Sequence, residues 1–260
     1  NIKVIAENIN IDRIILIDNS IKKNHSIYFT EKNKVEYYKL KYNEGIGKAQ
    51  NIGIDKLLKE DIVKGIFFFD QDSILEETFI SKMLETYLFV KERYNNIGII
   101  APTIIEKSSS EKFEIENYTI CKEIISSGSL LNVEMIKAIG GMEEQLFIDY
   151  VDFEYCWRAI KKNYKIIRAN TVTLEHKVGE KVLKIFKYNI YVPAPFRYYY
   201  IYRNGSILAK RNYIPNYWKI RERILRIITP IVILLFLDKK RQRLKYVLKG
   251  MNYEREEKAK

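Results

Sequence analysis

Short apolar runs alternate with longer amphipathic segments over the first hundred residues of the chain. The runs at 13–18, 65–69 and 98–101 have the length and composition of buried strands. The segments at 46–59 and 76–94 repeat their apolar residues at helical spacing instead. Strands that alternate with helices build βαβ units. The pattern therefore predicts an α/β fold with a mainly parallel sheet flanked by helices.

The rest of the chain first extends this pattern and then replaces it. The further predicted elements are strands at 35–41, 165–168 and 172–176 and helices at 133–139 and 149–162. Pro102 is expected to end the strand that precedes it, and Gly140-Gly141 to end the helix before them. From about residue 195 the chain is helical and basic to its end. We therefore expect an α/β domain at 1–194 and a basic, partly amphipathic helical region at 195–260.

Positive charge is concentrated in the last third of the chain. The net charge is +12, and residues 1–180 are close to neutral. Such asymmetry favours an anionic partner, which could be a membrane surface, a nucleic acid or a phosphorylated substrate. Residues 217–237 mix basic with branched apolar side chains. That mixture is typical of a helix that lies in the interface of an anionic membrane, or of one that packs on the domain or on a dimer partner.

Neither a secretory signal nor a membrane span is predicted. The start of the chain lacks the signal-peptide pattern. The longest apolar run, 227–237, is interrupted by Pro230 and falls short of the roughly 20 residues that cross a bilayer. Cys121 and Cys156 lie far apart with no motif spacing, so a reducing cytoplasmic setting is expected.

Polar residues follow the predicted strands at their carboxyl ends. Asp18, Asn43 and the pair Asp70 and Asp72 stand at three such positions. In an open α/β sheet these ends form one rim, where ligands bind. Two carboxylates at this spacing suit Mg²⁺ or Mn²⁺, which often bridge protein carboxylates to substrate phosphates. A solvated acidic turn is the alternative.

Two weaker features accompany this rim. Gly45 lies in a turn before a predicted helix, where backbone N–H groups can approach an anion, although the spacing matches no dinucleotide or phosphate-loop fingerprint. His176 is one of two histidines, the other being His25. It is either a structural or exposed residue or, if Asp72 holds a metal, a second ligand.

Three acids open the helix predicted at 149–162. Asp149, Asp152 and Glu154 are followed by Arg158. Asp149 as an N-cap and Asp152 in the first turn would be explained by capping and by the helix dipole. Because three acids exceed what capping needs, one of them is a candidate general base for a hydroxyl.

The ordered set of motifs resembles a known family. The motifs are ILIDNS at 15–20, NEGIGKAQNIG at 43–53, DQDS at 70–73, SGS at 127–129, GGMEE at 140–144, LFIDYVDFEYCWR at 146–158, HKVG at 176–179 and RYYYIYRN at 197–204. In this order, over about residues 11–250, they resemble the bacterial rhamnosyltransferase-like branch of the family 2 glycosyltransferases, which have the GT-A fold. The family normally begins with one more strand, so the first strand is expected to be missing here.

The resemblance also implies a role for each site residue. Residues on the donor or nucleotide side would be Asp18, Asn43, Gly45, Asp70 and Asp72. Those on the acceptor or sugar side would be Gly128, Asp149, Glu154 and Arg158. Asp72 would bind Mg²⁺ or Mn²⁺ on the diphosphate, with His176 as the second metal ligand. Asp152 matches the catalytic base, with Asp149 and Glu154 as rivals.

The implied reaction is inverting transfer of L-rhamnose from dTDP-L-rhamnose to a lipid-linked surface polysaccharide of the O-antigen or capsule type. The enzyme would be peripheral on the cytoplasmic face of the plasma membrane, with a homodimer as a further possibility. Alternatives are transfer from another UDP- or GDP-sugar, a sugar nucleotidyltransferase, or a nucleic-acid-binding protein that stacks bases on Tyr198-Tyr199-Tyr200. Nucleic acid is not expected as a partner, because the acidic clusters would repel its backbone.

Overall fold

A computed structural model describes residues 2–21, 34–59, 62–105, 116–175, 181–185 and 188–258. The strands are β1 (Ile14–Asp18), β2 (Val35–Lys39), β3 (Gly65–Phe67), β4 (Ile97–Ile105), β5 (Tyr118–Cys121), β6 (Leu130–Asn132), β7 (Lys165–Glu175), β8 (Lys181–Ile185) and β9 (Tyr188–Val192). The helices are α1 (Ile2–Glu7), α2 (Ile46–Leu57), α3 (Phe79–Lys91), α4 (Val133–Ile139), α5 (Val151–Lys161), α6 (Arg197–Ala209), α7 (Asn216–Phe236) and α8 (Lys240–Lys258). A 3₁₀ turn covers Glu144–Leu146.

The central sheet has five strands in the order β3-β6-β4-β7-β5. Its middle pair, β4 with β7, is parallel. The short strand β6 runs antiparallel to both β3 and β4, and β5 runs antiparallel to β7. The parallel pair β1–β2 forms a separate sheet, and no ladder joins the two sheets in the described part of the chain. The α/β class predicted from the sequence is confirmed, with a sheet of mixed direction.

Two predicted strand boundaries are wrong. Strand β4 continues past Pro102 to Ile105. Pro102 has no N–H to donate to the ladder, and it is tolerated because the register against β7 shifts directly after it. The segments predicted as two strands at 165–168 and 172–176 form the single strand β7. The strand is continuous because Asn170 in its middle is buried and its side chain bonds to the Glu116 carbonyl and to Thr119.

The helix predicted from Asp149 begins at Val151, so the interpretation of Asp149 as its N-cap is wrong. Tyr150 occupies the cap position with φ 66° and ψ 2°, and no side chain caps the helix there. The end of α4 agrees with the sequence: Gly140 follows it with φ 80°, the conformation that favours glycine.

The C-terminal helices pack onto the sheet domain through a shared core. Trp218 of α7 and Trp157 of α5 are both buried, with ring centroids 5.1 Å apart. Tyr150 meets Trp218 edge-on at 5.3 Å. The packing therefore crosses the boundary predicted at 194/195, and the division into two domains stays a prediction.

Candidate active site

A serine-rich turn, Ser126–Ser129, holds the segment that carries Asp70 and Asp72. Gly128 N–H donates to the Phe68 carbonyl at 2.6 Å, and Phe68 N–H donates to the Ser129 carbonyl at 3.0 Å. Asp70 N–H donates to Ser127 Oγ at 3.3 Å. These bonds extend the β3–β6 pairing beyond the ends of both strands. The two acids are thereby placed at the carboxyl end of β3, where both are exposed.

Gly128 allows this turn to form. Its φ is 76°, a conformation that residues with a Cβ rarely adopt. A Cβ there would lie 2.7 Å from Leu174 Cδ2 and 2.8 Å from Pro102 Cγ. Gly128 therefore packs against the sheet, and its predicted place on the acceptor side would rest on its backbone.

Asp152 lies against the same turn. Its carboxylate accepts hydrogen bonds from both the backbone N–H and the hydroxyl of Ser126. The Ser126 hydroxyl also accepts a bond from Gln50 Nε2 at 3.0 Å. Burial raises the pKa of Asp152 to about 6, against the lowering by the Ser126 bonds, and the charges of Asp70 and Asp149 raise it further. A carboxylate with this pKa can take a proton near neutral pH.

Glu154, two residues further on, is in a different environment. Its side chain is fully buried. It accepts from Arg158 Nε and Nη2 at 2.9 Å each and from the Tyr213 hydroxyl at 2.6 Å, and Arg211 Nη1 lies 3.5 Å away. Such enclosure suits a structural ion pair better than a base that must meet a substrate.

Arg158 completes this ion pair and also caps α4. Its Nη1 donates to the Ile139 carbonyl at 2.7 Å, and its Nη2 donates to the Gly141 carbonyl at 2.8 Å. The predicted acceptor-side residues Glu154 and Arg158 thus bond to each other and to the backbone. Their predicted contact with sugar stays a prediction.

The segment between the 3₁₀ turn and α5 has an unusual backbone. Phe147, Asp149 and Tyr150 have φ of 64°, 67° and 66°, and none of them is glycine. Each such residue costs on the order of 1 kcal/mol. Asp149, which is largely buried, forms an ion pair with Arg197 of α6, with Arg197 Nε at 3.2 Å. Tyr150 donates to Glu222 of α7 at 3.1 Å. Contacts from the C-terminal helices thus hold this segment.

Asp18 lies at the carboxyl end of β1 and is held by its neighbours. It accepts hydrogen bonds from the Tyr37 hydroxyl at 2.6 Å, the Ser20 hydroxyl at 2.6 Å and Lys39 Nζ at 3.2 Å. Burial raises the pKa of Asp18, but these bonds outweigh it and hold the pKa well below its usual range. The residue is therefore ionised at neutral pH, and its role beside a nucleotide stays a prediction.

Asn43 and Gly45 form the turn before α2. Asn43 Oδ1 accepts from Gly45 N–H at 3.0 Å. Gly45 has φ 88°, and a Cβ there would lie 2.6 Å from the Phe147 carbonyl oxygen. The next residue, Ile46, donates its N–H to the same oxygen at 2.6 Å. This turn is therefore pressed against the segment that precedes α5.

The metal ligands predicted from the sequence are only partly described. Asp72 is on the exposed turn, whereas His176 lies outside the described residues, as does His25. Within the described ranges, no group of three His, Cys, Asp or Glu side chains could hold a metal ion. Two carboxylate residues at the rim still fit Mg²⁺ or Mn²⁺, because such ions commonly take one or two protein carboxylates and complete their shell with substrate phosphates and water.

The sequence motifs do not show the hydrogen bond between Ser126 and Asp152, and they assign no role to Arg197 or Asn204. These contacts join residues that are 26 to 58 positions apart, so no local spacing shows them. One available signal was the concentration of three serines around Gly128 directly after an apolar pair.

Solved structures with this fold define its class. TarS of S. aureus, residues 1–349, matches 97% of this chain and 76% of its own with a TM-score of 0.52 and 12% identity. The complex of TarS with UDP-GlcNAc matches 96% of this chain and 76% of its own, with a TM-score of 0.55 and 10% identity. GalNAc-T7 with UDP, GalNAc and Mn²⁺ matches 82% of this chain and 48% of its own, with a TM-score of 0.50 and 13% identity. The fold is that of the GT-A glycosyltransferases.

Sequence similarity then identifies the family. No family model matches the chain. The dTDP-rhamnosyl transferase RfbF of Shigella flexneri is 33% identical over 238 residues, which cover 85% of this chain and 78% of that protein. The chain belongs to the rhamnosyltransferase-like branch of the family 2 glycosyltransferases, and it is a glycosyltransferase.

Proposed function

We propose that this enzyme transfers L-rhamnose from dTDP-L-rhamnose, with inversion, to a lipid-linked bacterial surface polysaccharide of the O-antigen or capsule type. The name of RfbF supports this donor. The observation that carries the chemistry is the Ser126–Ser129 turn. It bonds to the carboxylate of Asp152 and also holds the turn of Asp70 and Asp72. A candidate base and a candidate donor site are thus bonded to one turn.

Asp152 is the proposed general base. Its carboxylate takes the proton of the acceptor hydroxyl, whose oxygen attacks the anomeric carbon while dTDP departs. One carboxylate suffices for this displacement, unlike the pair used by glycosidases. The two Ser126 bonds orient the carboxylate, and its raised pKa makes it a stronger base than an ordinary Asp.

The donor side of the proposed site consists of Asp18, Asn43, Gly45, Asp70 and Asp72. Asp72, with His176, would hold Mg²⁺ or Mn²⁺. A bound divalent ion offsets the charge that develops on the leaving diphosphate. Asp70 would face the ribose or the sugar, and Asp18 the base or ribose. Transfer from a UDP- or GDP-sugar is the alternative, and the UDP-GlcNAc complex of TarS shows such a donor on this fold.

The donor can be tested by thermal stabilisation. We expect Mn²⁺ with dTDP-L-rhamnose or dTDP to raise the melting temperature of the full chain, because ligands that bind only the folded state stabilise it. UDP-GlcNAc and GDP-mannose should raise it less. Asp72→Asn should remove the Mn²⁺-dependent part, whereas Asp55→Asn, an exposed substitution on α2, should not. A response to UDP- or GDP-sugars alone would reject the dTDP donor.

We also propose that α7 places the enzyme on the inner face of the plasma membrane. The outer face of α7 exposes large apolar residues: Ile220, Ile224, Leu225, Ile227, Ile228, Ile231, Leu234, Leu235 and Phe236. Exposed basic residues flank it, namely Arg221, Arg223, Lys239, Lys240 and Arg241. The one acid of α7, Glu222, is buried on the opposite face. No described helix is long and apolar enough to cross a membrane.

Charge favours a lipid surface over a second copy of the chain. Packing two copies through this face would bring like charges together, whereas anionic headgroups would complement them. An apolar stripe flanked by basic residues is the pattern of a helix that lies in the membrane interface. A homodimer through α7 is the alternative.

A further inference from the structure

The strained segment before Asp152 is held mainly by three residues of α6. We infer that Arg197, Arg203 and Asn204, the α6 clamp, are positioning residues for the catalytic segment at 145–152. This inference rests on the proposed function, because it takes Asp152 as the base. The α6 clamp lies in the region that the sequence places outside the α/β domain.

Asn204 is the centre of the α6 clamp. It is fully buried. Its Nδ2 donates to the carbonyls of Leu146, Ile148 and Asp149 at 2.9, 2.8 and 3.0 Å. Three carbonyls within four residues of the segment are thus bonded to one amide group. In addition, Ile148 N–H donates back to Leu146 at 2.7 Å, closing a tight turn around Phe147.

The two arginines extend the α6 clamp on either side of Asn204. Arg203 Nη2 donates to the Leu146 carbonyl at 3.0 Å and also to the Gln145 carbonyl. Arg197 pairs with the Asp149 carboxylate. Left-handed non-glycine residues persist only where the surroundings over-determine them. The α6 clamp bonds to the carbonyls on either side of Phe147 and to Asp149, while Glu222 and Trp218 of α7 contact Tyr150.

Loss of the α6 clamp would change the position of the Asp152 carboxylate. Tyr150 is two residues from Asp152, so relaxation of the segment would move the start of α5 and the carboxylate with it. A displacement of about 1 Å can cost on the order of 100-fold in rate. Three of the five proposed donor-side residues, Asp18, Asp70 and Asp72, lie on β1 and on the turn at 70–73, whereas Asn43 and Gly45 form the turn that contacts the segment at Phe147. Loss of the α6 clamp should therefore lower kcat more than it raises the donor KM.

The test compares three variants of the full chain. Arg197→Gln removes a partly exposed ion pair and should leave the fold intact, and Asn204→Ala removes the central amide. Ser206→Ala is the matched control, since Ser206 Oγ donates to the Tyr202 carbonyl of α6 and accepts from Arg226 Nη2 of α7, and these partners lie outside the segment. The readout is dTDP release from dTDP-L-rhamnose, with a bacterial lipid-linked glycan extract as acceptor.

We expect Arg197→Gln and Asn204→Ala to lower kcat at least tenfold with the donor KM within twofold, and Ser206→Ala to change neither. Folded Arg197→Gln protein with unchanged kcat would overturn the inference, and so would parallel losses in kcat and donor affinity. If the wild type releases no dTDP, the proposed function fails, and hydrogen exchange then tests the α6 clamp. Exchange at 145–152 should be faster in both clamp variants than in Ser206→Ala, and equal exchange would overturn the inference.

Discussion

Three acids within six residues have three different environments, and these decide what each carboxylate can do. Asp149 pairs with an arginine of α6, and Glu154 is enclosed by arginines and a tyrosine. Asp152 has hydroxyl and amide partners without a cationic one, and its pKa is raised to about 6. At the residue scale, Asp152 combines a raised pKa with a place beside the candidate donor site.

Replacing Asp152 by Asn should remove activity and stabilise the fold at neutral pH. Loss of a general base costs about 10²- to 10⁴-fold in kcat. A carboxyl whose folded pKa exceeds its unfolded value destabilises the protein once it ionises, by about 1.4 kcal/mol per pKa unit. The pKa rises from 3.8 to about 6, so the variant should gain up to about 3 kcal/mol at pH 7.5.

This gain has a defined pH window. It should shrink as pH falls through 6 and vanish below about 4, where Asp152 is protonated in both states of the wild type. Urea unfolding at pH 4, 6 and 7.5 measures it. A variant that keeps wild-type turnover would assign the base to Asp149 or Glu154, and a loss of stability at pH 7.5 would contradict the raised pKa.

At this scale the sequence predicts which residues belong to the site better than it predicts what surrounds each side chain. The spacing from Asp152 to Arg158 indicated which acid matches the family base. Its pKa could not be predicted, because it depends on Ser126 and Asp70, which are distant in the chain and meet only after folding. The ion pair of Glu154 with Arg158 follows from their i, i+4 spacing on a helix, but the enclosure by Tyr213 and Arg211 does not.

At the scale of elements, the Ser126–Ser129 turn connects β6 to the two acidic segments. Gly128→Ala should destabilise the protein by at least about 1–2 kcal/mol, because its positive φ and its close contacts with Leu174 and Pro102 leave no room for a methyl group. Gly53→Ala on α2 is the control, since its nearest contact would be Ile17 at 3.9 Å and alanine favours a helix. Thermal unfolding of both variants measures the difference. Equal stability would show that the turn is less constrained than described.

A second prediction at the scale of elements concerns membrane binding through the outer face of α7. Replacing Ile227, Ile231 and Leu234 by Ser should weaken flotation with vesicles that contain phosphatidylglycerol at least tenfold, because each exposed apolar side chain contributes burial energy at the interface. Leu88→Ser, an exposed substitution on α3, is the control. Unchanged flotation, or flotation equal on purely zwitterionic vesicles, would reject the membrane role. If the wild type is a dimer and the triple Ser variant is a monomer, α7 would be assigned to a homodimer interface instead of a membrane.

Hydrophobic periodicity indicated the helices and most strands, and the class of fold followed from their alternation. The direction of β6 and the continuity of β7 could not be read from periodicity, because both depend on partners across the sheet. The three-residue β6 is defined by its pairing with Phe67 and Ile99 rather than by its own pattern. The prediction that Pro102 ends its strand was wrong, because a register shift against β7 compensates for the proline.

At the scale of the whole molecule, the C-terminal helices are joined to the catalytic chemistry by packing. Helix α6 holds the segment before Asp152, and α7 contacts Tyr150 through Trp218 and Glu222. The same α7 presents its apolar face outward. The region that composition marks as a basic appendage therefore lies between the proposed membrane surface and the proposed base.

The most direct measurement is the steady-state transfer of rhamnose by the full chain from dTDP-L-rhamnose to lipid-linked glycan in a bacterial membrane extract. We predict a rhamnosylated product with inverted anomeric configuration by NMR, little turnover of UDP-GlcNAc, and a rate 10²- to 10⁴-fold lower for Asp152→Asn. Turnover of a UDP- or GDP-sugar in place of dTDP-L-rhamnose, retention of configuration, or an Asp152→Asn rate close to that of the wild type would contradict the proposed function.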